Sequence, residues 1–137
     1  MRILDTNILS LFLRGDPKIV GRLGECDPAE LAITIVNVEK MLNGWHARIR
    51  KAKTAGQITK SYQFLREAVQ FAGSVHIQDF TPAAQQRFVE LRKQYRRIGT
   101  NDLRIAAIVL EHNAILVIAN VRDFRKIDGI NIEDWTG

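Results

Sequence analysis

Four carboxylates fall where helices and strands are expected to begin or end, and their chemistry sets the question. Asp5 follows an opening strand, Glu39 lies in the first turns of the helix after a second strand, Asp102 opens a helix leading into a fourth strand, and Asp123 follows that strand. In an open α/β sheet such positions converge over the carboxyl ends of the strands, where ligands bind. Carboxylates brought within about 4–6 Å raise one another's pKa unless a cation neutralises them. Oxygen donors without Cys or His select a hard ion, Mg²⁺ or Mn²⁺. Such an ion can activate water and steady the charge on a phosphodiester during in-line displacement. Each acid also has an ordinary reading: Asp5 or Asn7 as a helix cap, Asp102 as an acid favoured by the helix dipole, Glu39 as an exposed helical residue, Asp123 as a turn residue.

The elements that must position these acids can be placed from pattern. Arg2–Leu4 reads as a strand that runs into Asp5-Thr6-Asn7 and then into a helical pattern at Ile8, Leu11 and Phe12. The three prolines sit behind Asp16, Asp27 and Thr81. Proline is tolerated at the first helical position, where its missing N–H would be unpaired anyway. Pro17 therefore opens a short helix to about Leu23, Pro28 a turn before the strand Leu31–Thr34, and Pro82 a long helix with an apolar face at Ala84, Phe88, Leu91, Tyr95 and Ile98. Between Thr34 and Pro82 lie helical patterns at about Val36–Ala52 and Ile58–Ala72, the second with Tyr62, Leu65, Val69 and Ala72 on one face, and then a short strand Val75–Ile77. Gly99 is a suitable terminator before a helix from Asp102 to about His112, closed by Asn113. Ile115–Ile118 is a buried parallel-type strand and Ile130–Ile132 a short last one. Strands alternating with helices predict a three-layer α/β/α architecture, a short central parallel sheet with helices on both faces and a helical hairpin, in one domain over 1–137.

Composition narrows the rest. At 137 residues, 46% hydrophobic and 26% charged, the chain has ordinary globular usage. It holds no apolar run near the roughly 20 residues that span a bilayer, and a cytoplasmic protein is expected. The single cysteine, Cys26, excludes a disulfide framework, and His46, His76 and His112 lack zinc spacing. A net charge of +5 favours anionic partners.

The residues carry a resemblance. Leu4-Asp5-Thr6-Asn7, Thr34 with the helix bearing Glu39 and Gly44, Gly99-Thr-Asn-Asp102-Leu-Arg-Ile-Ala-Ala107, and Asn120-Val-Arg-Asp123-Phe124 ahead of Ile132-Glu-Asp-Trp135 resemble the PIN-domain ribonucleases. Within them the chain is most similar to VapC-type toxins of bacterial toxin–antitoxin pairs. The resemblance implies a Mg²⁺- or Mn²⁺-dependent endoribonuclease acting on RNA, usually homodimeric, and held inactive by an antitoxin protein. It implies Asp5, Asp102 and Glu39 as metal ligands, Asp123 as a further catalytic acid, and Thr6, Asn7 and Asn120 as support. Two departures stand against it. The family acid lies four residues before the glycine, which here is Lys40, and the position of Ile118 is commonly Thr or Ser. One residue along a helix turns a side chain by about 100°, so two arrangements stay open. In one, Lys40 reaches the crevice, pairs with Asp5 and Asp102 and supplies the charge a metal would have supplied; in the other, Lys40 points to solvent and Glu39 does the work.

Two basic clusters, Arg48-Ile-Arg50-Lys51-Ala-Lys53 and Arg92-Lys93-Gln-Tyr-Arg96-Arg97, read either as solvated helix faces or as a phosphate-tracking surface, with Arg96 and Arg97 the substrate candidates. Ile8, Leu11, Phe12, Leu13, Met41, Leu42 and Trp45 supply apolar surface for the core, an antitoxin groove or a dimer face. A catalytically degenerate PIN domain that binds antitoxin or RNA is the alternative function, favoured by Lys40 and Ile118. A receiver-like domain would want an adjacent acid pair after the first strand, which Asp5-Thr6-Asn7 lacks.

Overall fold

Two strands pass into helices with no loop between them. Strand β1 (Arg2–Leu4) ends at Asp5, the residue that begins α1 (Thr6–Leu13), and β2 (Leu31–Thr34) ends at Thr34, which begins α3 (Ile35–Lys51). These elements come from a computed structural model that describes residues 1–119 and 122–136. The others are α2 (Pro17–Gly24), α4 (Ala55–Ser74), β3 (His76–Gln78), α5 (Pro82–Gln94), α6 (Thr100–Glu111), β4 (Ile115–Ile118) and β5 (Asn131–Asp134). A single turn of 3₁₀ helix, Pro28–Glu30, precedes β2, and Phe124–Lys126 forms another after β4. Pro17, Pro28 and Pro82 each follow a residue whose side chain accepts a capping hydrogen bond: Asp16, Asp27 and Thr81. No helix among the described residues is long and apolar enough to cross a membrane.

The five strands form one parallel sheet in the order β3-β2-β1-β4-β5. The chain builds outward from β1 on one side and then crosses to the other, so a topological switch point lies between β1 and β4. A ligand crevice is expected there, at the carboxyl edge. Because strand side chains alternate between faces, the sheet feeds two cores. Ile3, Ala32, Leu116 and Ile118 face α5 and α6, where they pack with Leu91, Leu103 and Ile108. Leu4, Ile33 and Val117 face the other way, against Ile8, Ile19, Met41 and Ala72. The layers match the expected α/β/α sandwich.

Three expectations need correction. The helix begun by Pro82 stops at Gln94, so Tyr95 and Ile98 are not part of it. They still pack into the α5–α6 core because the intervening turn is held by Arg92, whose guanidinium donates to the carbonyls of Arg96 (3.0 Å) and Ile98 (2.8 Å). Gly99 is not a left-handed terminator: with φ −58° it is the N-cap of α6, which starts at Thr100 rather than Asp102. In α4 the expected face is rotated. Tyr62 and Val69 are exposed and Ala68 and Ala72 are buried, since small side chains let this helix approach while Phe71 packs on Phe12 at 5.2 Å.

Candidate active site

Asp5 is set by β1 and α1 together. Its N–H donates to the Val117 carbonyl of β4 at 2.9 Å, and its own carbonyl accepts from Leu9 in α1. The carboxylate therefore stands at the switch point, 4% exposed, at the N-cap position of α1 but without a capping hydrogen bond. Its Oδ1 has no hydrogen-bond partner. Burial pushes the Asp5 carboxyl above the ordinary range; the Thr6 peptide N–H and the Lys40 ammonium pull it back, and Asp102 adds to the rise. A buried acceptor left open is rare in folded proteins and marks a place for a ligand or a strain.

Asp102 comes from the first turn of α6, where the helix dipole favours a negative charge. Its Oδ1 receives the Lys40 ammonium at 3.3 Å, the two side chains being 28% and 30% exposed. Lys40 thus reaches the crevice, and its charge acts on both Asp102 and Asp5. One residue away on α3 the outcome is opposite. Glu39 is exposed and lines a depression with Ile35, Val36, Phe80 and Arg104. Arg104 lies over the Phe88 ring at 5.1 Å on that side.

The remaining candidates are spread around the crevice. Thr6 Oγ1 accepts from Asn37 Nδ2 at 3.0 Å, and Asn7 is exposed at the start of α1. Asp123 pairs with Lys126 at 3.8 Å and lines, with Arg96 and Arg97, a basic depression of about 480 Å³. Asn120 lies outside the described residues. Ile118 is fully buried in the core beneath α6. A second cavity of about 150 Å³ opens beside Lys40, lined by Thr6, Ser10, Arg14, Trp45 and Arg48. The structure thus brings Asp5 and Asp102 together and sets Glu39 and Asp123 in other depressions.

Two positioning residues do not stand out from sequence. Asn37 is buried and closes a capping box: its Oδ1 accepts from the N–H and hydroxyl of Thr34, both at 2.8 Å, while its own N–H donates to Thr34 Oγ1. The signal for it is Thr34-x-x-Asn37, a capping-box spacing with Asn in place of Glu or Gln. Arg92 sits inside a basic cluster, with no signal to separate it from its neighbours.

The donor set can be tested against a divalent ion. Asp5 and Asp102 offer carboxylate oxygens of the right hardness, but among the described residues no three acidic, His or Cys side chains gather around one point. Lys40 already sits on Asp102. Unit charges 4 Å apart interact by about 4 kcal/mol at an effective dielectric of 20, and a dication doubles that repulsion. With Lys40 seated, the site does not fit Mg²⁺ or Mn²⁺.

Known proteins resemble the chain over almost its whole length. The ribonuclease VapC1 of Haemophilus influenzae strain R2866 is 28% identical over 138 residues, covering 98% of this chain and 97% of that protein. The tRNA(fMet)-specific endonuclease VapC of Shigella flexneri is 25% identical over 98% of this chain and 97% of its own length. Among solved structures, the DNA-bound VapBC of Salmonella typhimurium superposes with a TM-score of 0.80 at 22% identity, covering 98% of this chain and 97% of that one. VapBC-1 of nontypeable H. influenzae does so with 0.77 at 25% identity, covering 99% and 98%. The family model of the PIN domain matches residues 2–130, so the chain belongs to the PIN-domain family.

Proposed function

We propose that this PIN domain is a VapC-like endoribonuclease toxin that cleaves RNA phosphodiesters and is neutralised by a cognate antitoxin. The observation that carries the reading is the meeting of Asp5 and Asp102, 97 positions apart in sequence, at the carboxyl edge of the sheet. Relatives named ribonuclease and tRNA(fMet)-specific endonuclease match over almost the whole chain. Arg96 and Arg97 then hold RNA phosphates beside the crevice, an attraction that weakens with salt. The antitoxin is seated by an apolar cavity of about 350 Å³ lined by Phe12, Val20, Leu23, Phe71 and Val75. A homodimer in the cytoplasm belongs to the same proposal, with the exposed Ile58, Tyr62 and Val69 of α4 as apolar surface for a second copy. Mg²⁺ or Mn²⁺ enters it only for a state in which Lys40 has left Asp102, with Asp5 and Asp102 as ligands.

A catalytically degenerate PIN domain that binds RNA or antitoxin without cutting is the second reading, and the Lys40–Asp102 pair is what favours it. An RNase assay with and without Mn²⁺, using Asp5→Ala and Asp102→Ala as controls, separates the two. The toxin reading expects cleavage that falls at least a hundredfold in either variant; cleavage that survives both belongs to a contaminant. In RNA-binding titrations, Arg96→Ala/Arg97→Ala should lower the salt slope by about 2, one for each phosphate that the protein no longer holds. An unchanged slope removes the basic depression from the RNA path.

A further inference from the structure

We infer that Lys40 is the crevice's own counter-cation: its ammonium, and not a divalent ion, holds Asp102 and offsets part of the charge that Asp5 and Asp102 bring together in the resting protein. The inference takes from the PIN reading only that these two acids form the site, and it stands whether or not the chain cuts RNA. Three observations carry it. Lys40 Nζ lies 3.3 Å from Asp102 Oδ1, and its charge also reaches Asp5. The acid beside it on α3, Glu39, which would have added a third carboxylate, lies in the depression lined by Arg104 instead. The cavity next to Lys40 is lined by two more cations, Arg14 and Arg48, so positive charge gathers beside Lys40 from both the C-cap of α1 and α3.

The same geometry explains the open Asp5 Oδ1. The Lys40 ammonium has three N–H donors, yet here it bonds Asp102 Oδ1 and none of its donors meets Asp5 Oδ1, whereas a dication between the two acids would engage both. Lys40 therefore offsets part of the charge of the crevice without completing its coordination. A divalent ion entering this site must first displace the ammonium and then bind within range of it. The intact chain is accordingly a poor metal binder, and taking away one positive charge uncovers the affinity that Asp5 and Asp102 hold in reserve.

Calorimetric titration of Mn²⁺ chloride into the full chain, stripped with EDTA and dialysed, tests this, alongside thermal melts with and without the ion. Wild type, Lys40→Ala and Lys40→Glu are compared, with Asp5→Asn/Lys40→Ala as the control. Both single variants should bind Mn²⁺ at least tenfold more tightly than wild type and show a metal-dependent rise in Tm that wild type lacks. The double variant should lose the gain. Equal and strong binding by wild type and Lys40→Glu overturns the inference, and so does failure of both single variants to bind. Should either variant not melt cooperatively, Lys40→Met keeps the bulk of the stem and takes its place. RNA cleavage by the same proteins is scored separately. Tighter metal binding without cleavage supports the inference and overturns the ribonuclease reading; cleavage without tighter binding overturns the inference and leaves that reading in place.

Discussion

At the β2–α3 junction Thr34 caps its helix with a closed set of hydrogen bonds; at the β1–α1 junction, one strand over, Asp5 holds the same N-cap position, but its side chain closes no capping hydrogen bond. The two are neighbours in the sheet. Ile3 pairs with Ala32, and continuing that register two residues brings Asp5 beside Thr34. Asn37 Nδ2 even links them by donating to Thr6 Oγ1. Both junctions bury polar groups, so desolvation acts on both. It is answered inside the protein at Thr34 and left open at Asp5. A network satisfied from within rigidifies the fold, while a buried carboxylate left open is kept for something that arrives from outside.

The closed junction should therefore break hardest. Asn37→Ala strips the Thr34 N–H and hydroxyl of their common acceptor in a fully buried position. Each such orphaned group costs about 1–3 kcal/mol, so urea denaturation should show a loss near 3 kcal/mol. A loss under about 1 kcal/mol would mean that water or a rearranged side chain replaces Asn37, and the contrast with Asp5 would lose its basis.

At the open junction the expected change has the opposite sign. Burial holds the Asp5 carboxyl above its unfolded range, so the folded protein binds this proton more tightly than the unfolded chain does. Wild-type stability from this group is then fully present below the unfolded carboxyl pKa, about 3.9, and is lost as pH rises through the folded value. Asp5→Asn cannot ionise and escapes that loss. Denaturation midpoints across the acidic range into neutrality should show Asp5→Asn gaining on wild type as pH rises, then holding a constant lead. A lead that shrinks with rising pH would show that Lys40 and the α1 N-terminus outweigh burial.

The contrast between the junctions explains what sequence alone makes legible. Strand–acid–helix patterns are local, and the sheet, both cores and the placement of Asp5 and Asp102 follow from them. The 100° step between Glu39 and Lys40 is also visible, but not its outcome, because the start of α3 depends on the Thr34–Asn37 box. Reading Thr34-x-x-Asn37 as a capping box phases the helix from Thr34 and places Lys40 toward Thr6. The outer face of α4 misleads for a different reason. Its apolar residues are split between two sides, and only the docking of Phe71 on Phe12 and of Phe64 on Trp45, with ring centroids 5.2 and 5.1 Å apart, decides which side goes in. Arg92 is unreadable because a guanidinium that staples a turn has the same sequence signature as one that meets RNA.

The smallest expected effect is the sharpest test of that phasing. Glu39 is exposed and shares its depression with Arg104, so Glu39→Gln removes at most a solvent-screened attraction. Exposed pairs of this kind contribute about 0–1 kcal/mol, and the melting temperature should move by no more than a degree or two. Mn²⁺ binding and RNA cleavage, measured beside Asp102→Asn, should stay within twofold of wild type, while the Asp102 variant loses whatever activity the chain has. A large fall in either quantity for Glu39→Gln would require α3 to rotate by about 100° in the working state, moving Lys40 out of the crevice and Glu39 into it. The Lys40–Asp102 pair would then belong to a resting form, and the open carboxylate of Asp5 would be waiting for a helix rotation rather than for an ion.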